Sequence, residues 1–150
     1  MKVSFENISA ADTLPLRQAL LRPGKPLAGC QFDKDNHSYT LHWGAFVNNK
    51  LVGILSAMNT PCESFPEKNA YQFRGMAVAS DFQRKGIATQ LLQSAEKQLL
   101  INRTPELFWL NARIKAIELY TALAYQPIGP EFDIPTVGPH QRFFKNNLFL

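Results

Sequence analysis

The segment that most constrains the fold runs from Tyr71 to Leu100 and has the pattern of a strand, a tight basic turn and a helix. Apolar residues and small neighbours fill the stretch from Tyr71 to Ala79, which predicts a central strand covered on both faces. Gly75 within it predicts a bulge or a close approach of the backbone. From Ile87 onward, apolar residues recur at steps of three and four, which predicts a helix whose buried face is Ala88, Leu91, Leu92, Ala95 and Leu99.

The turn between this strand and helix reads Gln83-Arg84-Lys85-Gly86-Ile87-Ala88. Gly86 puts no side chain between the backbone and a ligand, so consecutive N–H groups at the helix start can point at an anion, which the helix dipole also favours. The turn therefore predicts a pyrophosphate site, with simple turn chemistry as the alternative. It has neither the Gly-Lys-Ser/Thr of a Walker phosphate loop nor the second glycine pair of a dinucleotide fingerprint.

Length and composition predict one domain over residues 1–150 with a real hydrophobic core, since 45% of the residues are hydrophobic. No apolar run is long enough to span a membrane, and the N-terminus lacks the features of a signal peptide, so we expect a soluble, cytoplasmic protein. Cys30 and Cys62 lie far apart in sequence, which predicts reduced, non-catalytic thiols and no metal site.

The net charge of +4 is compatible with nucleic-acid binding, but the 16 Lys and Arg residues are scattered along the chain. A basic pocket for a polyanionic cofactor explains the excess equally well.

Strand and helix patterns alternate along the rest of the chain and predict a mixed sheet with helices on both faces. The predicted elements are a strand Lys2–Ile8, a helix Leu14–Leu21 capped by Asp12 or Thr13, a hairpin of Tyr39–Val47 and Lys50–Met58 turning at Asn48-Asn49, a strand Leu107–Asn111, a helix Ala116–Leu123, an irregular segment from Pro127 to Pro139, and a last strand Gln141–Leu148.

The turn pattern Gln/Arg-x-x-Gly-x-Gly/Ala after a strand resembles the acetyl-coenzyme A site of the GNAT superfamily of N-acetyltransferases, and the order of elements resembles that family over nearly the whole chain. Four further segments resemble an uncharacterised bacterial branch of small acetyltransferases: Leu16-Arg17 to Pro26, Arg74 to Val78, Asn111-Ala112-Arg113 and Gly138-Pro139-His140. The resemblance implies a single N-acetyltransferase domain with an α/β (α+β) mixed sheet of six to seven strands flanked by about four helices.

The resemblance also implies transfer of an acetyl group from acetyl-coenzyme A (acetyl-CoA) to a primary amine by direct attack, without a covalent enzyme intermediate. The Met76 N–H is then the candidate that polarises the thioester carbonyl, while Asn111 is either a contact to the cofactor arm or an ordinary strand-end residue. The residues assigned to the cofactor are Met76, Ala77, Val78, Arg84, Lys85, Gly86, Ile87, Ala88, Thr89 and Asn111.

The general acid implied by the resemblance is Tyr120, because the residues from Asn111 to Tyr125 resemble the family signature Asn…Ala…Phe-Tyr…Gly-Phe. A phenol with a reference pKa of about 10 is protonated at neutral pH and can donate to a departing thiolate. The alternative is a core or rim tyrosine. Ala124 replaces the glycine of the signature, which predicts backbone strain if that position needs a positive φ.

The general base cannot be Gln72, which occupies the place of a glutamate in many relatives and cannot accept a proton from an ammonium group. His42 and His140 carry the side-chain type suited to that role, with Glu131 and Glu63 as acidic alternatives and a structural role as the alternative for each histidine. We assign His140 as a catalytic residue, because its turn is expected on the acceptor side. His37 is expected in a solvated loop.

Arg74 is too costly to bury alone, so it either pairs with Glu131 or Asp133 or faces the acceptor and recognises a carboxylate or phosphate. The expected partners are acetyl-CoA and a small-molecule or protein amine, with no nucleic acid and no membrane, and a homodimer stays open. The alternative to catalysis is a module of the same fold that only binds or senses acyl-CoA.

Overall fold

The computed structural model describes residues 1–147, and this range contains seven strands and three α-helices. Short 3-10 turns occur at Leu27–Cys30, Ser80–Phe82 and Ile114–Ala116. The main elements are β1 Ser4–Asn7, α1 Ala10–Leu20, β2 Leu41–Val47, β3 Lys50–Met58, β4 Ala70–Val78, α2 Ile87–Asn102, β5 Leu107–Arg113, α3 Ile117–Ala122, β6 Gln126–Ile134 and β7 Gly138–Asn146.

The strands form one mixed sheet in the order β1-β2-β3-β4-β5-β7-β6. β4 and β5 run parallel, whereas the pairs β1–β2, β2–β3, β5–β7 and β6–β7 are antiparallel. The predicted fold class is therefore confirmed. The expected count of about four helices is not: residues 1–147 hold three α-helices, because the stretch after α1 is interrupted by Pro23, Gly24 and Pro26 and forms only the 3-10 turn Leu27–Cys30.

The chain divides into two compact units, which we call the first and the second unit. The first unit consists of Met1–Met58 and Arg74–Arg103. The second consists of Asn59–Phe73 and Thr104–Leu150, of which the structure describes residues up to 147.

The predicted hairpin is confirmed within the first unit. Asn48 and Asn49 have φ angles of 51° and 64°, and the strands pair from Val47–Lys50 to Leu41–Ala57. Asparagine tolerates the left-handed conformation that a two-residue turn requires, so this turn fixes the register of β2 against β3.

Helix α1 begins four residues before the predicted start at Leu14. The Ser9 side chain accepts from the Asp12 N–H, and the Asp12 carboxylate accepts from the Ser9 N–H, both at 3.1 Å. Asp12 is therefore not the N-cap but the acidic partner of a capping box centred on Ser9.

Strand β6 falls in the segment predicted to be irregular, and that prediction is wrong. The sequence gives no alternation there, because β6 is the edge strand and most of its residues are exposed. Its prolines are tolerated at an edge, and the register shifts between Ile128 and Phe132, around Gly129 at φ 77°. The last strand begins at Gly138 rather than Gln141, and its predicted end, Leu148, lies outside the described residues.

The predicted apolar face of α2 is confirmed except at Ala88, which is half-buried. Leu91, Leu92, Ala95 and Leu99 are fully buried, and α2 packs against β2 and β3. This packing fixes the helix, and with it the turn that leads into it.

A buried charged network joins α1 to the following loop and to β3 in the first unit. Arg17 is fully buried, and its Nη1 and Nη2 donate to the two Asp35 carboxylate oxygens at 2.7 and 3.0 Å. The same guanidinium donates to Ser56 Oγ at 2.9 Å and to the Cys30 carbonyl at 3.2 Å. Burial raises the pKa of Asp35, but hydrogen bonds from Arg17 and the Phe32 N–H outweigh it and leave the pKa below its ordinary value.

Replacing Asp35 by Asn is expected to lower the free energy of unfolding by about 3 to 5 kcal/mol, because it leaves the Arg17 charge buried without a counter-charge. Urea unfolding at pH 7 measures this loss, and Asp33→Asn is the control, since Asp33 is exposed and should change stability by no more than about 0.5 kcal/mol. A lowered folded-state pKa stabilises above the unfolded pKa and loses its effect as pH falls. The gap between wild type and Asp35→Asn should therefore close in strong acid, and equal stabilities at pH 7 would contradict the network.

Candidate active site

The turn after β4 leaves a row of backbone N–H groups without protein partners. Gly86 is the N-cap of α2, with φ 79° and ψ 7°, and no side chain caps the helix. Arg84 is also left-handed, with φ 61°. Within residues 1–147, no protein group accepts a hydrogen bond from the N–H of Arg84, Lys85, Gly86, Ile87, Ala88 or Thr89.

This arrangement suits an anion. Free N–H groups at a helix start carry positive partial charge, and left-handed residues in a turn aim successive N–H groups at one point. A Cβ at Gly86 would meet only Gln90 Nε2, at 3.9 Å, so the space above the turn is open. Gln83 fixes the turn to the end of β4, because its Nε2 donates to the Val78 carbonyl at 2.9 Å.

The predicted cofactor strand, β4, has a local irregularity at Gly75. Its φ is 64°, and a Cβ there would lie 2.9 Å from Phe32 Cε2, so the predicted close approach is confirmed. Arg74, Gly75 and Met76 are half-exposed, whereas Phe73 and Ala77 on either side are buried. The parallel pairing of β4 with β5 starts at Ala70–Leu107 and ends at Gln72–Trp109.

Tyr120 lies on α3 in the second unit and is 8% exposed. Burial raises the pKa of its phenol to about 12, so the hydroxyl keeps its proton throughout the physiological range. Within the described part of the chain, the hydroxyl makes no hydrogen bond. Tyr120 is thus a protonated, unengaged donor in a largely apolar setting.

The end of α3 holds Tyr120 in place through a Schellman motif. The Tyr125 N–H donates to the Tyr120 carbonyl at 3.0 Å, and the Ala124 N–H donates to the Thr121 carbonyl at 3.2 Å. Ala124 is left-handed with φ 71°, the conformation that would explain a glycine in relatives, so the predicted strain is present. The rings of Tyr120 and Tyr125 meet edge to face at 5.9 Å, which is the apolar contact that accompanies this motif.

His140 lies on β7, opposite Arg113 of β5 and Phe132 of β6. It is buried, its ring stacks on Phe132, and its Nδ1 is 2.8 Å from the Gly138 carbonyl. A carbonyl oxygen only accepts, so Nδ1 carries the proton and Nε2 keeps its lone pair in the neutral ring. Phe132, expected in a loop, instead lies in β6 and packs on this histidine.

His42, the other candidate base, is enclosed in the Arg17 network. Its Nε2 is 3.0 Å from the Asp35 carbonyl and its Nδ1 is 2.6 Å from Ser56 Oγ. The carbonyl requires a proton on Nε2, so Nδ1 accepts from the Ser56 hydroxyl. Both ring nitrogens of His42 thus make hydrogen bonds to protein groups, which supports a structural role for this histidine.

Asn111 in β5 has its side-chain oxygen occupied, because Arg142 Nε donates to it at 3.3 Å. Arg142 lies over the Trp109 ring at 4.9 Å and 3.9 Å from the Glu63 carboxylate. The second unit therefore contains Asn111, Tyr120 and His140, on β5, α3 and β7. The six amides of the turn and Met76 belong to the first unit.

Arg74 forms no ion pair within residues 1–147, so the first of its two predicted alternatives, pairing with a carboxylate, is not seen in the described part of the chain. Its guanidinium lies 4.2 Å from the centroid of the Phe32 ring. Sequence reasoning missed Phe32 and Asp35, because their distance from Arg74 along the chain leaves no periodic signal.

None of the helices in residues 1–147 is long and apolar enough to cross a membrane.

The sequence pattern of the acetyltransferase (GNAT) family matches residues 7–125, which include the turn, β4, Asn111 and Tyr120. The chain belongs to this family, and the predicted acyltransferase class is confirmed.

Among individual proteins, the chain is 29% identical over 143 residues to the uncharacterized N-acetyltransferase YitI of Bacillus subtilis (strain 168), and the match covers 95% of each chain. The crystal structure of ElaA from Escherichia coli matches with a TM-score of 0.76 at 13% identity, over 97% of this chain and 100% of that one. An aminoglycoside 6'-N-acetyltransferase complexed with coenzyme A matches with a TM-score of 0.69 at 15% identity, over 97% of each chain. At these identities the two structures establish the fold.

Replacing Ala124 by Gly is expected to raise the free energy of unfolding by about 0.5 to 1 kcal/mol, because glycine adopts the left-handed conformation without strain. The matched control is Ala122→Gly in the last turn of α3, which should lower stability by about 1 kcal/mol. Urea unfolding of both variants measures the difference. Loss of stability in Ala124→Gly would mean that the Schellman motif is not formed.

Proposed function

We propose that the protein is an N-acetyltransferase that moves an acetyl group from acetyl-CoA to the primary amine of an acceptor by direct attack. The observation that carries this proposal is the row of unpartnered N–H groups from Arg84 to Thr89 around a left-handed Gly86. A pyrophosphate fits such a row in charge and geometry. Family membership and a relative in the same fold that was solved with coenzyme A add support.

The cofactor would be held mainly by main-chain groups. The N–H groups from Arg84 to Thr89 would bind the pyrophosphate, the backbone from Met76 to Val78 would pair with the pantetheine arm, and the Asn111 side chain would contact that arm. Acetyl-CoA supplies the acetyl group as an activated thioester. The Met76 N–H would stabilise negative charge on the thioester carbonyl oxygen, a contribution of about 3 to 4 kcal/mol for one such donor in other enzymes.

Two residues of the second unit would act on the proton of the amine and on the departing sulfur. The His140 Nε2 lone pair would receive the proton that the amine loses on attack. Tyr120 would hold a proton at Oη for the departing sulfur. Because burial raises the pKa of Tyr120 to about 12, well above the reference thiol pKa of about 8.5, the phenol would act chiefly by donating a strong hydrogen bond to the leaving group.

We further propose that residues 1–150 act as one catalytic domain in the cytoplasm. Gln72 cannot serve as a base, so the proposed mechanism depends on His140 for proton removal.

Coenzyme A binding is expected to depend on the conformation at Gly86. In wild type, acetyl-CoA at 100 times its Kd should add about 2.7 kcal/mol to the free energy of unfolding. Gly86→Ala should bind about tenfold more weakly, because its Cβ points into the open space over the turn and strains the loop. Gly129→Ala is the matched control, since Gly129 has φ 77° with nothing within 4 Å of its Cβ position.

Thermal unfolding with and without acetyl-CoA measures both effects, because each variant serves as its own reference for the strain that it introduces. If millimolar acetyl-CoA did not stabilise wild type, the proposal would be contradicted. Equal weakening of acetyl-CoA binding in both variants would show that the loss is not specific to the turn at Gly86.

Tyr120→Phe is expected to lower kcat about 100-fold and to change the affinity for coenzyme A by no more than about twofold, because only the hydroxyl is lost. Tyr125→Phe, which removes a hydroxyl from the neighbouring buried ring, should leave kcat near wild type. Thiol release from acetyl-CoA across a panel of amines measures kcat. An unchanged rate in Tyr120→Phe would exclude its role, and coenzyme A binding with no thiol release from wild type would favour a binding module.

A further inference from the structure

Three guanidinium groups of the first unit surround the ring of Phe32. The guanidinium carbons of Arg17, Arg74 and Arg22 lie 3.7, 4.2 and 5.2 Å from its centroid. Each contact is a cation–π interaction, but three like charges around one ring also repel one another. Such a cluster needs counter-charges to be stable.

Only part of that counter-charge is present in residues 1–147. Arg17 is neutralised by its two hydrogen bonds to Asp35. Neither Arg74 nor Arg22 forms an ion pair in this part of the chain. Burial, followed by the charges of Arg22 and Arg17, lowers the pKa of Arg74 below its ordinary value, although Asp35 and Asp33 act against this. The cluster therefore carries more positive than negative charge.

The two unpaired arginines remain accessible. Arg22 and Arg74 are both half-exposed. Arg22 is oriented by its Nη1, which donates to the Gly29 carbonyl at 2.8 Å, and its other guanidinium N–H groups have no partner within residues 1–147. The buried Nε of Arg17 has no partner in the described residues and lies 3.5 Å from the Cβ position of Gly75, next to Arg74. The donors at this place outnumber the protein groups that can accept from them.

We propose that Arg74 and Arg22 bind an anionic group, a carboxylate or a phosphate, on the amine acceptor. This inference rests on the proposed function, because it places the anion beside the Met76 N–H, which is assigned to the thioester carbonyl. Arg74 is two strand positions before Met76, about 7 Å or less along the backbone. The acceptor is therefore a compact molecule whose amine and anionic group are a few bonds apart, and guanidinium groups match the two oxygens of such an anion.

Pairs of amines that differ only in the anionic group test the proposal. We would compare β-alanine with β-alaninamide, and phosphoethanolamine with ethanolamine, by thiol release from acetyl-CoA. The anionic member of at least one pair should have a kcat/KM at least about tenfold higher in wild type, and Arg74→Gln should remove that preference. Arg74→Lys should keep part of it. Lys50→Gln, which removes one exposed charge at the β2–β3 turn, should keep all of it.

A binding measurement covers the case in which none of the four amines is a substrate. With coenzyme A saturating, succinate should raise the melting temperature of wild type and of Lys50→Gln, but not that of Arg74→Gln, while succinamide should have no effect. If wild type showed neither the kinetic preference nor the succinate effect, the inference would be overturned. It would also be overturned if Lys50→Gln lost the preference or the succinate effect as fully as Arg74→Gln. Stabilisation by coenzyme A without succinate binding leaves the proposed function intact. Succinate binding without a coenzyme A effect would support an anion site at Arg74 but contradict the proposed function, and with it the assignment of that site to an amine acceptor.

Discussion

Backbone N–H groups at a helix start need hydrogen-bond partners, and the way in which this need is met distinguishes α1 from α2. Helix α2 begins at a left-handed glycine that offers no side-chain cap, so its first N–H groups, with those of Arg84 and Lys85, stay unpaired in the described residues. A helix start without caps is ordinarily a weakness, which proteins correct with Ser, Thr, Asp or Asn. Helix α1 follows that rule with Ser9 and Asp12. The contrast between the two helices is what the proposed pyrophosphate site at the start of α2 rests on.

A second constraint acts at the end of α3. Its Schellman motif uses a left-handed alanine where glycine would be free of strain, and it fixes Tyr120 through both a main-chain hydrogen bond and the ring of Tyr125. The motif fixes the backbone at Tyr120, while Tyr125 and Phe143 contact its ring. Burial then keeps the phenol protonated. The backbone position of Tyr120 thus follows from local structure, whereas the protonation state of its phenol follows from tertiary packing.

Local patterns in the sequence were sufficient to predict the hairpin, most of the buried face of α2 and the uncapped turn before that helix, because each depends on residues close together in the chain. The start of α1 was misplaced, since Asp12 resembles an N-cap until its pairing with Ser9 is seen. Strand β6 was missed, because an exposed edge strand containing Pro127 and Pro130 lacks both alternation and β propensity. The contacts of His42 and Arg74 could not be predicted from the sequence, because they depend on residues from separate segments that only the fold brings together.

The Phe32 cluster shows how structural and functional charges can share one site. Arg17 is fully buried and its charge is paired with Asp35, so it joins α1 to the Asp35 loop and to β3. It also supplies positive charge close to the Phe32 ring, which Arg74 and Arg22 contact as well. A buried ion pair contributes little net stability compared with apolar packing, so stability alone gives no reason for three arginines here. The proposed anion would complete the charge balance around this ring when it binds.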